Sequence, residues 1–246
     1  MTANTQWRFT PDEFAWVWSQ TKREYPYPLS ILESAPDLDT YVRQRHAISS
    51  RYPHQADIDL TRALGVLADP EVRIVCTGQS RGRRIRCLAA AVGDHAVIAH
   101  QLAGETKDFG SDVEILATRR GNLGRAVVTT MPATPAGVIP RLVGYTPRVR
   151  GEAETSYFIN ADGNEVAENR ILALLRAPRS ADGHLYIEND VRVAAENPPQ
   201  CLNWIDIQHG HRAAGRYLID VNHHDATVIP ATESQIAKEL TRRTNR

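Results

Sequence analysis

Gly215-Arg-Tyr-Leu-Ile-Asp-Val221, the turn Asn222-His-His-Asp225, Ala226-Thr-Val-Ile-Pro230 and Ala231-Thr-Glu-Ser-Gln-Ile-Ala-Lys-Glu-Leu240 form the stretch that decides the fold. Tyr217, Ile219 and Val221 alternate with polar or exposed neighbours, the period of a half-buried strand. Pro230 ends a second strand, because it cannot donate to a ladder. Thr232 stands where an N-cap belongs, with Gln235 three residues on, so a capping box can satisfy two orphaned backbone groups. Ile236 and Leu240, one turn apart, give the following helix an apolar stripe. The unit reads as a hairpin with a helix packed back on it.

A similar unit comes earlier. Asp94 to Leu102 and Asp112 to Thr118 read as strands, and Gly121 to Met131 as a helix that Pro132 stops. Further strands precede each unit. The expectation is one α+β domain over residues 1–246, built as two pseudo-symmetric halves on a central antiparallel sheet. The first half spans about 1–131, a connector with a reduced helical segment about 132–182, and the second half about 183–246.

Composition narrows the class. The 29 basic and 29 acidic residues cancel, which argues against a general polyanion binder but leaves room for a local patch. Met1 to Gln6 is polar with no apolar run behind it, so no secretory signal is expected. No stretch has the apolar length of a membrane span. Three cysteines do not make a disulfide framework, and a reducing cytoplasm is the expected home.

Gln6 to Phe9 alternates as a short edge strand. Thr10-Pro11-Asp12-Glu13 then combines an N-cap, a proline at the first helical position and a capping glutamate. Phe14, Val17 and Trp18 turn that helix toward the core. Tyr25 to Leu29 carries two prolines and is extended. Helices are expected over Leu38–Ile48, with Tyr41, Val42 and Ile48 inward, and over Ile58–Ala68, capped by Asp57 and lined by Leu60, Leu64 and Leu67. Arg141 to Thr155 is turn-rich and unassigned. Asn160 to Asn164 reads as a loop. Ala167–Arg176 reads as a helix with Ile171, Leu172 and Leu175 apolar. After Asp182-Gly183, Leu185, Ile187, Val191 and Val193 alternate as one long strand, and Leu202 to Ile207 as another.

Val72, Ile74 and Cys76 alternate, as do Ile85, Cys87, Ala89 and Ala91. A tight hairpin on Arg81-Gly82 sets Cys76 opposite Cys87, Ile74 opposite Ala89 and Val72 opposite Ala91, all on one face. Gly78-Gln-Ser-Arg-Gly82 matches the G-x-S-x-G nucleophile elbow, but that motif needs a helix after the turn, and here another strand follows. His209, His211, His223, His224 and Asp225 carry metal-ligating groups in two turns, without helical His-x-x-x-His or paired-cysteine spacing. Arg81, Arg83, Arg84 and Arg86 crowd the hairpin with no interleaved aromatic for base stacking. They read as a solvated tip or as a docking surface for an acidic protein.

Several stretches together resemble the EspG family, the ESX (type VII) secretion-associated chaperones of actinobacteria. They are Phe9-Thr-Pro-Asp-Glu-Phe14 with Trp18, Leu64-Gly-Val-Leu-Ala-Asp-Pro-Glu71, Arg86 to Val97, Val127 to Pro132, and Gly215-Arg-Tyr-Leu218 with Val228-Ile-Pro-Ala-Thr232. The resemblance implies a pseudo-two-fold fold and a cytosolic protein that does no chemistry and needs no cofactor or metal. It further implies binding to the apolar tip of a PPE protein in its PE–PPE heterodimer, an aggregation liability until covered. In that family the loop matching Gly78 to Arg84 helps grip the substrate. This chain departs in having a short, arginine-rich hairpin and a compact Pro140–Ala181 segment.

The expected function is therefore a secretion chaperone or adaptor for an ESX substrate, with Gln79, Ser80, Arg81, Arg83 and Arg84 as contact residues. The runner-up is a nucleic-acid-binding regulator using the Arg81–Arg86 hairpin. A metal-dependent enzyme built on the histidine turns stands third.

Overall fold

A computed structural model describes residues 5–153, 166–193 and 198–245. Thr155, Asn197, Arg246 and the loop expected at Asn160–Asn164 lie outside them. In the first half, β1 (Thr5–Phe9) leads into α1 (Pro11–Ser19), α2 (Leu38–Arg51) and α3 (Ile58–Ala68). The strands β2 (Val72–Ser80), β3 (Arg83–Val92), β4 (His95–Ala103) and β5 (Gly110–Arg119) follow, then α4 (Leu123–Val128). The chain goes on with β6 (Leu142–Tyr145), the one-turn α5 (Thr146–Val149) and α6 (Ala167–Arg176). It continues through β7 (Arg179–Glu188), β8 (Gln200–Ile207), β9 (Gly215–Val221), β10 (Asp225–Pro230) and α7 (Glu233–Thr244).

All the strands join one 10-stranded sheet in the order β1-β5-β4-β3-β2-β7-β8-β9-β10-β6. With β1 matched to β6 and β2–β5 to β7–β10, the order reads the same from either edge. The halves meet where β2 pairs antiparallel with β7, Thr77 opposite His184. The duplicated architecture expected from the two helix-closed units is the architecture found.

Local chemistry sets the elements where the sequence said it would. Thr10 and Thr232 both form capping boxes, with Glu13 and Gln235 as partners. Asp57 caps α3 through the Leu60 amide. The first hairpin turns on Arg81 and Gly82, both with positive φ (48° and 78°), the backbone that a two-residue hairpin requires. Its register places Cys76 opposite Cys87, Ile74 opposite Ala89 and Val72 opposite Ala91.

Each face of the sheet is used differently. On one face, α4 and α7 lie over a core shared by both halves, including Ile74, Cys76, Cys87, Leu185, Leu202, Trp204, Ile236 and Leu240. On the other, α1 and α3 cover a separate core with Phe14, Trp18, Leu64, Val97 and Ile115. A third core, with Ile171, Leu174, Ile205, Tyr217 and Ile219, lies under α6. The seam is close-packed: a Cβ on Gly183 would collide with the Thr77 carbonyl and stand 2.8 Å from the Trp204 ring, and one on Gly78 would stand 2.8 Å from the same ring.

The connector after α4 is clamped to β9. The Arg216 amide donates to the Pro135 carbonyl at 2.8 Å, and the Gly137 amide donates back to Arg216 at 2.9 Å. The Arg216 guanidinium, wholly buried, holds Asp206 through two bonds of 2.7 Å and the Pro132 carbonyl through one of 2.6 Å. Thr134 donates to Asp206 at 2.8 Å, and the guanidinium stands 5.2 Å over the Trp204 ring.

Several expectations need correction. β9 is buried on both sides: Leu218 faces the shared core while Tyr217 and Ile219 face the core under α6. Asp182-Gly183 is not a turn but the middle of β7, which ends at Glu188 and leaves Val191 and Val193 outside it. α2 buries no residue. Val42 is 56 % exposed, and the helix is tied to α1 by Arg51–Glu13 at 2.8 Å and by Arg45 at 4.8 Å over Trp16. In α6, Leu174 is fully buried and Leu172 only half-buried. α4 stops at Val128, although Met131 still packs in the core. The unassigned Arg141–Thr155 region holds β6 and α5.

Candidate functional site

Helices cover the two ends of the second face, under α1/α3 and under α6, but not its middle. Strand alternation puts Arg73, Thr77 and Gln79 of β2 there, opposite Glu188, His184 and Asp182 of β7, while Val75, opposite Tyr186, is buried in the core under α1 and α3. His184 and Tyr186 are exposed, their rings 6.0 Å apart. His184 Nδ1 is 2.6 Å from Asn203 Oδ1. Arg73 bridges the seam to Glu188 at 2.5 Å, and Gln79 donates to Asp182 at 3.1 Å. A cleft of about 300 Å³ opens over this floor, walled by Tyr27, Pro28, Arg84 and Arg86. Tyr27 is 68 % exposed.

Tyr186 is raised from the ordinary phenol value, first by the neighbouring Cys201, then by burial and by Tyr27. Cys201 itself is raised by burial. Exposed aromatic edges beside paired polar groups suit a partner with mixed apolar and polar character.

The five contact candidates divide between the faces. Gln79 and Arg84 are register partners on the cleft side, whereas Ser80 and Arg83 form the next pair and so point to the opposite side. Arg81 sits at the tip, its amide bonded to the Ser180 carbonyl at 3.2 Å. Arg86 lines the cleft but is not an exposed charge. It is buried, donates to the Lys107 and Asp108 carbonyls at 2.7 and 3.0 Å, and is lowered by burial and by Arg84. The basic hairpin proposed for nucleic acid thus loses one of its arginines to the β4–β5 loop.

The other motifs are pulled apart. Gly78 and Ser80 belong to β2, and the chain runs from Gly82 straight into β3, so no nucleophile elbow forms. His209 and His211 lie at one end of the seven-residue β9, His223 and His224 at the other. That separation is roughly 20 Å at the usual rise per strand residue. Among the described residues no cluster of His, Cys, Asp or Glu could hold a metal ion. The sequence reading missed Tyr27, His184, Tyr186 and Asn203. Once β7 is paired with β2, His184 and Tyr186 follow from the Leu185–Ile187 alternation, and Asn203 from the Leu202–Trp204 alternation of β8.

A protein-family model, the EspG family, matches residues 10–242. The chain belongs to the EspG family. Among solved structures, it is similar to the type VII secretion system chaperone EspG5 of Mycobacterium tuberculosis, solved in complex with a PE25–PPE41 dimer. The match has a TM-score of 0.64 at 14 % identity and covers 98 % of this chain and 96 % of that one. At that identity the likeness speaks for the fold: a mixed α+β chain on a central antiparallel sheet, as the EspG resemblance implied. No curated relative matches the chain significantly in sequence. This EspG chain keeps α6 and the one-turn α5 between β6 and β7 among the described residues.

Proposed function

We propose that this EspG-family protein is a cytoplasmic chaperone for an ESX substrate. In this reading it covers the apolar tip of a PPE protein in a PE–PPE heterodimer and keeps it soluble until export. The observation that carries the reading is the bare middle of the sheet, open between two helical walls and lined by His184, Tyr186 and Tyr27. A sheet face of that kind is stabilised when a partner covers it. The role needs no cofactor and no chemical step. The solved relative's PE25–PPE41 complex supports the class of partner.

The division into halves of about 1–131 and 183–246, with a connector of about 132–182, belongs to the same proposal. So does the assignment of Gln79, Ser80, Arg81, Arg83 and Arg84 as contact residues, of which Gln79 and Arg84 share the cleft face with the aromatic floor. The test is co-expression with a PE–PPE pair followed by pull-down. Arg83→Glu with Arg84→Glu should abolish capture while leaving the fold intact, since both side chains are exposed. Undiminished capture removes the hairpin from the interface. Capture that survives there but fails in Tyr186→Ala moves the contact onto the sheet floor.

A further inference from the structure

Overall neutrality hides a basic rim. The ends of β2 and β8 and the starts of β3, β7 and β9 lie at one end of the sheet, through the pairs Ser80–Arg83, Ser80–Ala181, Ala181–Asp206 and Asp206–Arg216. Along that rim stand Arg81, Arg83, Arg84, Arg176, Arg179 and Arg212, all exposed. Among the described residues none of them forms an ion pair, whereas Arg8, Arg51, Arg62, Arg73 and Arg192 elsewhere each meet a carboxylate. Asp182, close to the rim, is already engaged by Gln79. From β3 to β9 the rim extends about 19 Å at the usual strand spacing.

At its far end the rim has a cavity. A pocket of about 260 Å³ lies between α6, the connector and the β8–β9 turn, lined by Arg170, His211 and Arg212 with Ile139, Leu174 and Ala213. Among the described residues no carboxylate lines it. His211 Nδ1 accepts the Ala213 amide at 3.1 Å, so the proton of the neutral ring is on Nε2, a donor without a partner among the described residues. Cationic donors over an apolar floor suit a carboxylate with a hydrocarbon neighbour. The volume fits a side chain rather than a large cofactor.

We infer that this cavity is a carboxylate subsite, which seats an Asp or Glu side chain of the protein substrate next to an apolar residue. The rest of the rim guides the same acidic segment toward the hairpin. The inference rests on the chaperone reading and names the chemistry of its partner. A phosphate backbone would make poor use of the apolar floor of Ile139 and Leu174.

The full-length protein is titrated with a fluorescein-labelled amphipathic helical peptide of Glu and Leu, with its Gln-for-Glu twin and with polyuridine RNA. Arg170→Gln with Arg212→Gln should weaken the Glu peptide by about 10- to 100-fold, the usual worth of charge-assisted hydrogen bonds. Ala173→Trp, which plugs the pocket and keeps every charge, should weaken it comparably. The twin should bind the parent as poorly as the Glu peptide binds the double variant. Equal binding of peptide and twin, or stronger binding of the RNA than of the Glu peptide, overturns the inference.

Capture of a PE–PPE pair is scored in parallel. If the parent and the double variant capture it equally and the peptide ignores the substitutions, the subsite is wrong and the chaperone reading stands. If the parent captures no such pair while the Glu peptide still depends on Arg170 and Arg212, the chaperone reading fails and the carboxylate site remains.

Discussion

Removing the Asp206 carboxylate is the severest single test of how the connector is held. Asp206 and Arg216 are both 0 % exposed. They are joined by two bonds of 2.7 Å, and the pair also fixes Thr134 and the Pro132 carbonyl. Asp206→Ala leaves a guanidinium in the core with only that carbonyl and the Trp204 face for company. Breaking one partner of such a pair costs about 3–5 kcal/mol, against a total stability of roughly 5–15 kcal/mol. For a chain of this size the melting temperature should fall by roughly 6–20 °C. Asp206→Leu with Arg216→Met removes both charges at similar volume. It should recover to within about 1 kcal/mol of the parent or exceed it, because neither ion then needs desolvating. Urea unfolding followed by tryptophan fluorescence, with circular dichroism to verify the folded baseline, measures both. Asp206→Ala costing less than about 1 kcal/mol would refute the reasoning, and so would a double variant as damaged as the single one.

Other expectations follow from the same contacts. Gly183→Ala should destabilise by about 1–3 kcal/mol or more, since its methyl meets the Thr77 backbone at the seam. Gly65→Ala, on the open side of α3 with nothing within 4 Å, should stabilise by about 0.5–1 kcal/mol, and chemical denaturation reads both. Burial holds the Cys76 thiol well above its usual value and pushes Cys87 up to about 12. Ellman's reagent should therefore label the half-buried Cys201 in the native protein and the other two only in denaturant; native labelling that survives Cys201→Ser contradicts this. The Glu239 carboxyl is held down to about 2, first by hydrogen bonding to Arg242, against 4.5 when free. The unfolded chain takes that proton first, so its stabilisation is full above about pH 4.5 and is lost as pH falls toward 2. Glu239→Gln should thus melt earlier than the parent at pH 6 and level with it near pH 2.

Much of this fold was legible because local chemistry and tertiary packing agree. The first hairpin could be read to the residue because apolar alternation on both strands and a turn that accepts positive φ admit one register. The capping boxes at Thr10 and Thr232 were equally plain, since three-residue spacing is all they need. Failures arose where one residue type serves two ends. Asp182-Gly183 has the letters of a hairpin turn, yet Gly183 is there because the Trp204 ring and the opposite backbone leave no room for a Cβ. Val42 has the spacing of a core residue, but α2 rests on α1 through its arginines. The open face was hidden for another reason. It exists because β2 pairs with β7 across about a hundred residues, and no local pattern announces that partnership.

The strand order has a consequence for how many partners the protein can hold. A true dyad through the seam would present the same surface after a half-turn, and a guest could settle either way round. Here one flank is built from α1 and α3 and the other from α6 with its guanidinium-lined hollow. The two approaches are unequal in shape and charge, so under the proposed reading a guest is expected to settle in one orientation, one guest to each protein.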